Sequence, residues 1–215
     1  MDILRNAYST DLIQNCWAAV RAQRRSASLG NELPAPFAEY NGDPLRFDRE
    51  VMGNDSPTTA YWGMQERIAT ALEEKRRVLV ATANGTGKST FIGRFIPYFQ
   101  LTRKNARTRL TAGTTSQVIN AHRKLRSSHA AAKRELPGDV MKTPSWELGP
   151  EWLYDGVSPD SEETMQGLYS TGPSDEPGSD GGLLAIIDEA SGAEDFKFKA
   201  MRGYMTIGTS FSLVM

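Results

Sequence analysis

Two short stretches carry residue types that could act on a phosphorylated substrate. The first is Val78-Leu-Val-Ala-Thr-Ala-Asn-Gly-Thr-Gly-Lys-Ser-Thr90. It reads as an apolar run, a glycine-containing loop, Gly-Lys-Ser and then a helix. Gly85 and Gly87 let backbone N–H groups turn inward around phosphate oxygens without a Cβ clash. Lys88 places an ammonium near terminal phosphates, and the Ser89 hydroxyl suits Mg²⁺. The positive end of the following helix points at the anion. Ala83, Asn84, Gly85, Thr86, Gly87, Lys88, Ser89 and Thr90 are therefore candidate nucleotide-binding residues, with ATP and Mg²⁺ as the expected ligands. In the full Walker A pattern G-x-x-x-x-G-K-[ST] the first glycine would fall at position 82, where this chain has Thr82. The competing reading is an ordinary glycine-rich turn with a chance Lys-Ser, but the flanking strand and helix argue against it.

The second stretch is Leu183-Leu-Ala-Ile-Ile-Asp-Glu-Ala190, an apolar strand ending in two carboxylates. This is what the other half of a phosphate-loop ATPase site, its Walker B strand, requires. Asp188 would hold Mg²⁺ through its water shell, and Glu189 would orient and polarise the attacking water. Adjacent carboxylates after a buried strand can instead cap the next helix. The phosphate loop about a hundred residues upstream favours the catalytic reading.

The surrounding pattern shows which elements must position these groups. Leu12, Ile13, Cys16, Trp17 and Val20 have helical spacing within Thr10–Arg25, and Ser26–Pro36 reads as a linker. Asp43–Gly53 is expected to be helical, with Asp43 as cap and Pro44 in the first turn. Tyr61–Glu74 reads as a helix, Arg77–Ala83 as a buried strand, and Lys88 to about Ile96 as a helix that Pro97 ends or kinks. Arg107–Thr115, Trp152–Val157, Leu183–Ile187 and Phe211–Met215 are further strand candidates, and Ser116–Ser127 a helix. Residues 172–182 read as an exposed loop. Strands separated by helices, apolar throughout rather than alternating, predict an α/β domain with a mostly parallel sheet.

Composition narrows the remaining classes. The chain has 215 residues, 39% of them hydrophobic, enough for one sizeable core. No apolar run reaches the roughly 18 residues a spanning helix needs, so no membrane role is expected. No secretory signal is visible, and the single cysteine, Cys16, excludes an internal disulfide framework. Neither His122 nor His129 has a partner at metal-ligand spacing. The net charge of -1 hides an asymmetry: residues 1–134 carry 21 Lys+Arg against 11 Asp+Glu, and residues 135–215 carry 4 against 15. Basic clusters at 21–25, 75–77, 103–109 and 123–126 could follow a phosphate backbone, or could simply be solvated faces.

The residues also resemble a family. Tyr61-Trp62-Gly-Met-Gln65-Glu66, followed by helix, strand and phosphate loop, looks like the adenine-recognising entry of the large terminase subunits of tailed bacteriophages and related helicases. Asn41-Gly-Asp-Pro-Leu-Arg-Phe, Glu50-Val-Met-Gly53, Leu110-Thr-Ala-Gly-Thr-Thr-Ser-Gln117, Met165-Gln-Gly-Leu-Tyr169, Ile186-Ile-Asp-Glu-Ala-Ser-Gly192, Ala200-Met-Arg-Gly-Tyr-Met205 and Phe211-Ser-Leu-Val-Met215 follow in the same order. Gly113 stands where a proline is common. The resemblance spans roughly residues 40–215. It implies a P-loop NTPase of the RecA/ASCE type at 41–215, preceded by a small helical extension at 1–40. A coupling motif and a nuclease domain would be expected beyond Met215.

By this resemblance Gln65 reads adenine and Trp62 or Tyr61 packs on the base, although a core anchor and a surface amide are the alternative. Lys88 and Glu189 carry the hydrolysis, and Ser89 and Asp188 place Mg²⁺. An arginine finger is expected among Arg94, Arg123, Arg126 and Arg202. The implied partners are double-stranded DNA, a portal protein and a small terminase subunit, with a homo-oligomeric ring on the procapsid in the host cytoplasm. Two other readings stay open: a helicase-like, nucleic-acid-dependent ATPase, and a non-catalytic nucleotide-binding assembly module.

Overall fold

The computed structural model describes residues 35–83, 85–159, 181–205 and 210–215, all within one compact unit, Pro34–Met215. The expected helix at Thr10–Arg25, the linker through residue 34, Met165–Tyr169 and most of the 172–182 loop lie outside the described residues.

The described strands are β1 (Arg77–Leu79), β2 (Arg107–Ala112), β3 (Ser145–Gly149), β4 (Trp152–Gly156), β5 (Leu183–Asp188) and β6 (Ser210–Val214). They form one sheet in the order β1-β6-β5-β2-β4-β3. Every pairing is parallel except β3 with β4. The α-helices are α1 (Pro44–Glu50), α2 (Gly63–Glu74), α3 (Lys88–Thr102), α4 (Thr115–Ala130) and α5 (Asp195–Tyr204). All six residues of β5 are buried. Leu184 and Ile186 join the main core with α3 and α4, while Leu183, Ala185 and Ile187 pack with Met201 and Tyr204 of α5. Alternate side chains of one strand thus feed two apolar layers, so the strand must be apolar throughout.

Local signals account for most boundaries. Asp43 caps α1 by accepting from the Arg46 N–H at 3.0 Å, and Pro44 occupies the first turn. Thr114 caps α4 by accepting from Gln117 N–H, while the Gln117 amide oxygen accepts from Thr114 N–H at 2.9 Å. Just after the expected linker, Phe37 and Tyr40 are buried and set edge-on to Phe47.

Three expectations are corrected. Pro97 does not end its helix, because α3 runs on to Thr102. Proline there removes the bond to the Gly93 carbonyl, a cost of about 3 kcal/mol in an exposed helix. Burial of every residue from Phe91 to Thr102 offsets it. A Cβ on Gly93 would lie 2.7 Å from the Lys124 carbonyl carbon, so α3 and α4 approach backbone to backbone. Second, β1 is a short edge strand with Leu79 78% exposed, not a buried strand, and only Val78 and Val80 reach the core. Two further elements, β3 and α5, are not among the strands and helices expected from the sequence. β3 forms by pairing with β4 and burying Trp146, and α5 by covering β5. Third, Gly181 and Gly182 at the end of the expected exposed loop are buried, and Gly182 O accepts from Arg107 N–H at 2.8 Å. Among the described residues no helix is long and apolar enough to cross a membrane.

Candidate nucleotide site

β6 lies between the strand that feeds the glycine loop and the strand that ends in the two acids. It ties their carboxyl ends together. Val80 N–H donates to Val214 O at 2.8 Å, Met215 N–H to Ile187 O at 3.0 Å, and Ala190 N–H to Met215 O at 2.7 Å. The crevice outside the carboxyl ends of an open parallel sheet is where such folds bind ligands.

The two distant stretches meet there. Ser89 Oγ donates to Asp188 Oδ2 at 3.2 Å, and Lys88 Nζ lies 3.8 Å from Glu189 Oε1. Lys88 and Asp188 are buried, while the Glu189 side chain is one-third exposed. Burial pushes the Asp188 carboxyl above its usual range, and the negative charge of Glu189 adds to this. The Ser89 hydrogen bond, the Glu189 N–H and Lys88 pull the other way. Glu189 has φ 52 and ψ 50, the left-handed region. Among the described residues only Asn105 shares a positive φ without being glycine, and asparagine tolerates it far better. Strain of this kind costs about 1–3 kcal/mol and concentrates at functional sites.

The glycine loop has its own brace. Gly85 and Gly87 have φ 79 and φ 82, as a loop wrapped around an anion needs. Thr82, standing in place of the first glycine, holds its Oγ1 3.1 Å from Thr86 Oγ1. Thr86 Oγ1 in turn donates to Ala83 O at 3.0 Å. The missing glycine is thus replaced by a hydroxyl pair across the neck of the loop. Gly87 caps α3, Thr90 lies in the first turn of that helix, and Asn84 lies outside the described residues.

Gln65 and Trp62 flank the loop from α2. Gln65 is 4% exposed, whereas Trp62 is 50% exposed. Gln65 Nε2 donates to Gly87 O at 3.1 Å, and its Oε1 accepts from Trp62 N–H at 3.4 Å.

Ser89 Oγ and Asp188 Oδ2 are hard oxygen donors close enough to face one cation. No group of three or more His, Cys, Asp or Glu side chains is assembled among the described residues. That donor set fits Mg²⁺, which keeps several waters and takes one or two carboxylates plus substrate phosphates.

No protein-family model matches the chain, and no curated protein matches it. A solved structure does: the crystal structure of the HK97 bacteriophage large terminase aligns over 83% of this chain, with a TM-score of 0.59 and 12% identity. The fold is terminase-like. The alignment takes in 37% of the terminase chain, so this chain matches little more than a third of that protein.

Against this fold, two supports of the acidic loop escaped sequence reasoning. Lys197 on α5 is 1% exposed, and its ammonium donates to Ala112 O at 2.9 Å. Gly113 O at 3.4 Å and Ser158 Oγ at 3.5 Å complete the cradle. It ties α5 to the ends of β2 and β4, and Ala112 is the register partner of Asp188. In sequence it is one more lysine in a charged helix, and no local signal marks it. The departure at Gly113 also has a structural role: a Cβ there would lie 2.7 Å from Gly192 O, in the turn that follows Glu189.

The candidate arginine fingers separate. Arg94 is buried, with Nε 2.8 Å from Asp48 Oδ1, a second bond from Nη2 to Oδ2, and its guanidinium 4.1 Å from the Tyr61 ring centroid. It is a structural arginine, and Tyr61 is buried beneath it rather than open to a base. Arg123, Arg126 and Arg202 are exposed. His122 and His129 belong to packing: His122 stacks on Tyr154 and shares a 2.8 Å hydrogen bond with Met141 O, and His129 sits edge-on to Trp146.

Proposed function

We propose that this chain is the ATP-hydrolysing motor domain of a large terminase, which drives double-stranded viral DNA into a procapsid. The observation that carries the reading is the meeting of Ser89 with Asp188 and of Lys88 with Glu189, across about a hundred residues of sequence. The terminase-like fold supports it.

In this reading the N–H groups of the Gly85–Ser89 turn and the start of α3 hold the phosphates. Lys88 neutralises the terminal oxygens and, through its approach to Glu189, holds that carboxylate toward the same space. Mg²⁺, placed by Ser89 and Asp188, would supply charge neutralisation on the phosphate oxygens. Glu189 orients the attacking water and takes up its proton. Its strained backbone sets the direction of the carboxylate. Lys197 and the Gly113–Gly192 contact hold the acidic turn against the sheet. One of the exposed arginines, Arg123, Arg126 or Arg202, would act as the finger. DNA is held through phosphates by exposed basic residues such as Arg123, Lys124 and Arg126, and the portal protein and small terminase subunit are the expected assembly partners.

Glu189→Gln tests the reading. Hydrolysis should fall by about 10²–10⁴-fold while ATP affinity stays close to wild type. Turnover that survives the substitution removes Glu189 from the mechanism. In the complete protein, hydrolysis should be stimulated by double-stranded DNA more than by single strands. The opposite preference would favour a helicase-like role.

A further inference from the structure

Thr82 stands where the full phosphate-loop pattern carries a glycine. A positive φ is what most often calls for glycine in such a loop. Thr82 has none: among the described residues the non-glycine positive φ values belong to Asn105 and Glu189. The backbone at this position therefore accepts a side chain.

That side chain closes a bridge across the loop. Thr86 Oγ1 donates to Ala83 O at 3.0 Å, which spends its one proton. In the 3.1 Å contact between the two hydroxyls, Thr82 is then the donor and Thr86 the acceptor. The bonds run from the Thr82 hydroxyl to Thr86 Oγ1, and from the Thr86 hydroxyl to Ala83 O. They use protein atoms alone, so no ligand is needed to make them.

The bridge joins two fixed ends. Thr82 follows two residues after Val80, whose N–H donates to Val214 O in the sheet. Thr86 precedes by two residues Lys88, the first residue of α3. The turn between them cannot widen without breaking the bridge. Gly85 lies in that turn with φ 79. Apart from its chain neighbours, no described atom lies within 4 Å of a Cβ placed on it. Packing does not hold this glycine, so its conformational freedom must be limited by the bridge.

We propose that the Thr82–Thr86 hydroxyl pair is a latch that holds the phosphate loop in its receiving shape, with Thr82 as a positioning residue. The latch meets the ordering cost of the loop before phosphates enter it. Restoring the glycine of the full pattern therefore impairs this site instead of improving it. The proposal rests on the phosphate-loop reading above.

Calorimetric titration with ATP and with inorganic tripolyphosphate, each with Mg²⁺, tests it. Thr82→Val keeps the shape and removes the donor, so it should weaken both ligands by one common factor of about three to ten. Thr82→Gly should weaken them at least as much, because it also adds freedom to the loop. Thr82→Ser keeps the hydroxyl and should bind within about twofold of wild type. Thr86→Val breaks both links, so adding Thr82→Val to it should cost less than about twofold more. The turn can open locally while the sheet stays folded, so melting temperatures should stay within about 3 °C of wild type. Binding by Thr82→Gly that is unchanged or tighter overturns the proposal. So do independent losses in the double variant, a valine loss that serine shares, or valine variants that melt several degrees lower with unaltered affinity. A Lys88→Ala variant that still binds tripolyphosphate normally would remove the phosphate-loop reading itself, and so marks that failure apart.

Discussion

Asp48 and Asp188 are equally buried, each 2% exposed, and burial pushes both carboxyls above the usual range. What surrounds them differs. Asp48 holds a permanent counter-ion: Arg94 makes two hydrogen bonds to it, Asn54 Nδ2 donates at 2.9 Å, and Tyr61 lies over the guanidinium. Asp188 has a neutral hydroxyl and one backbone N–H as hydrogen-bond donors, with a second carboxylate next to it in sequence. Asp48 is therefore a closed structural pair. Asp188 has no such ion pair; the buried Lys88 ammonium acts on it only through space. Burial and perturbed titration alone do not distinguish these two acids; their partner sets do.

Three changes would break or sharpen this contrast. The largest effect is expected from Arg94→Ala, which strands Asp48 without its cation. It should cost about 3–5 kcal/mol of folding stability, measured by urea unfolding. The double change Asp48→Leu with Arg94→Met should recover most of it, and nucleotide affinity of the folded protein should be unaltered. If Arg94→Ala is tolerated, Asp48 is not held as described.

Asp188→Asn should act in the other direction. Asn can still accept from Glu189 N–H and can donate to Ser89 Oγ, without a buried charge. It should stabilise the nucleotide-free protein by about 1 kcal/mol while abolishing Mg²⁺-dependent hydrolysis. The pH dependence has a definite sign. The folded-state pKa of Asp188 is raised, so its favourable contribution is fully present below the unfolded value of about 3.9 and lost as pH rises through the folded value. The gain from Asn should therefore be largest near neutral pH and shrink on acidification. Thermal melts across that range would show it, and a gain that grows toward low pH contradicts the account.

The smallest effect is expected from Glu189→Gly, which relieves the left-handed backbone. It should raise stability by no more than about 1 kcal/mol while eliminating turnover. A clear loss of stability would mean that the Glu189 side chain, through Lys88, contributes more than its backbone costs.

Much of this site was legible in the residues themselves. Phosphate chemistry demands glycines, a lysine and a hydroxyl in fixed order, and Gly85, Gly87, Lys88 and Ser89 show that order within five positions. An apolar run ending in acids identified β5 for the same reason: a strand buried on both faces has no polar alternation to obscure it. Lys197 was not legible, because a lysine that caps strand-end carbonyls from 84 and 85 residues away looks like any surface cation. Pro97 misled because local propensity cannot weigh the burial that overrides it. β3 was missed because its five residues acquire strand character only by pairing with β4.

The amino-acid order alone thus determined an α/β chain, its glycine loop, its acidic strand end and the chemistry those could perform together. The tertiary structure decided that β6 stands between the two halves, that Arg94 is locked against Asp48, and that the Gln65 amide faces the loop. Each of these depends on groups far apart in sequence competing for the same buried hydrogen-bond partners. Such competition is settled by packing, and no local pattern records it.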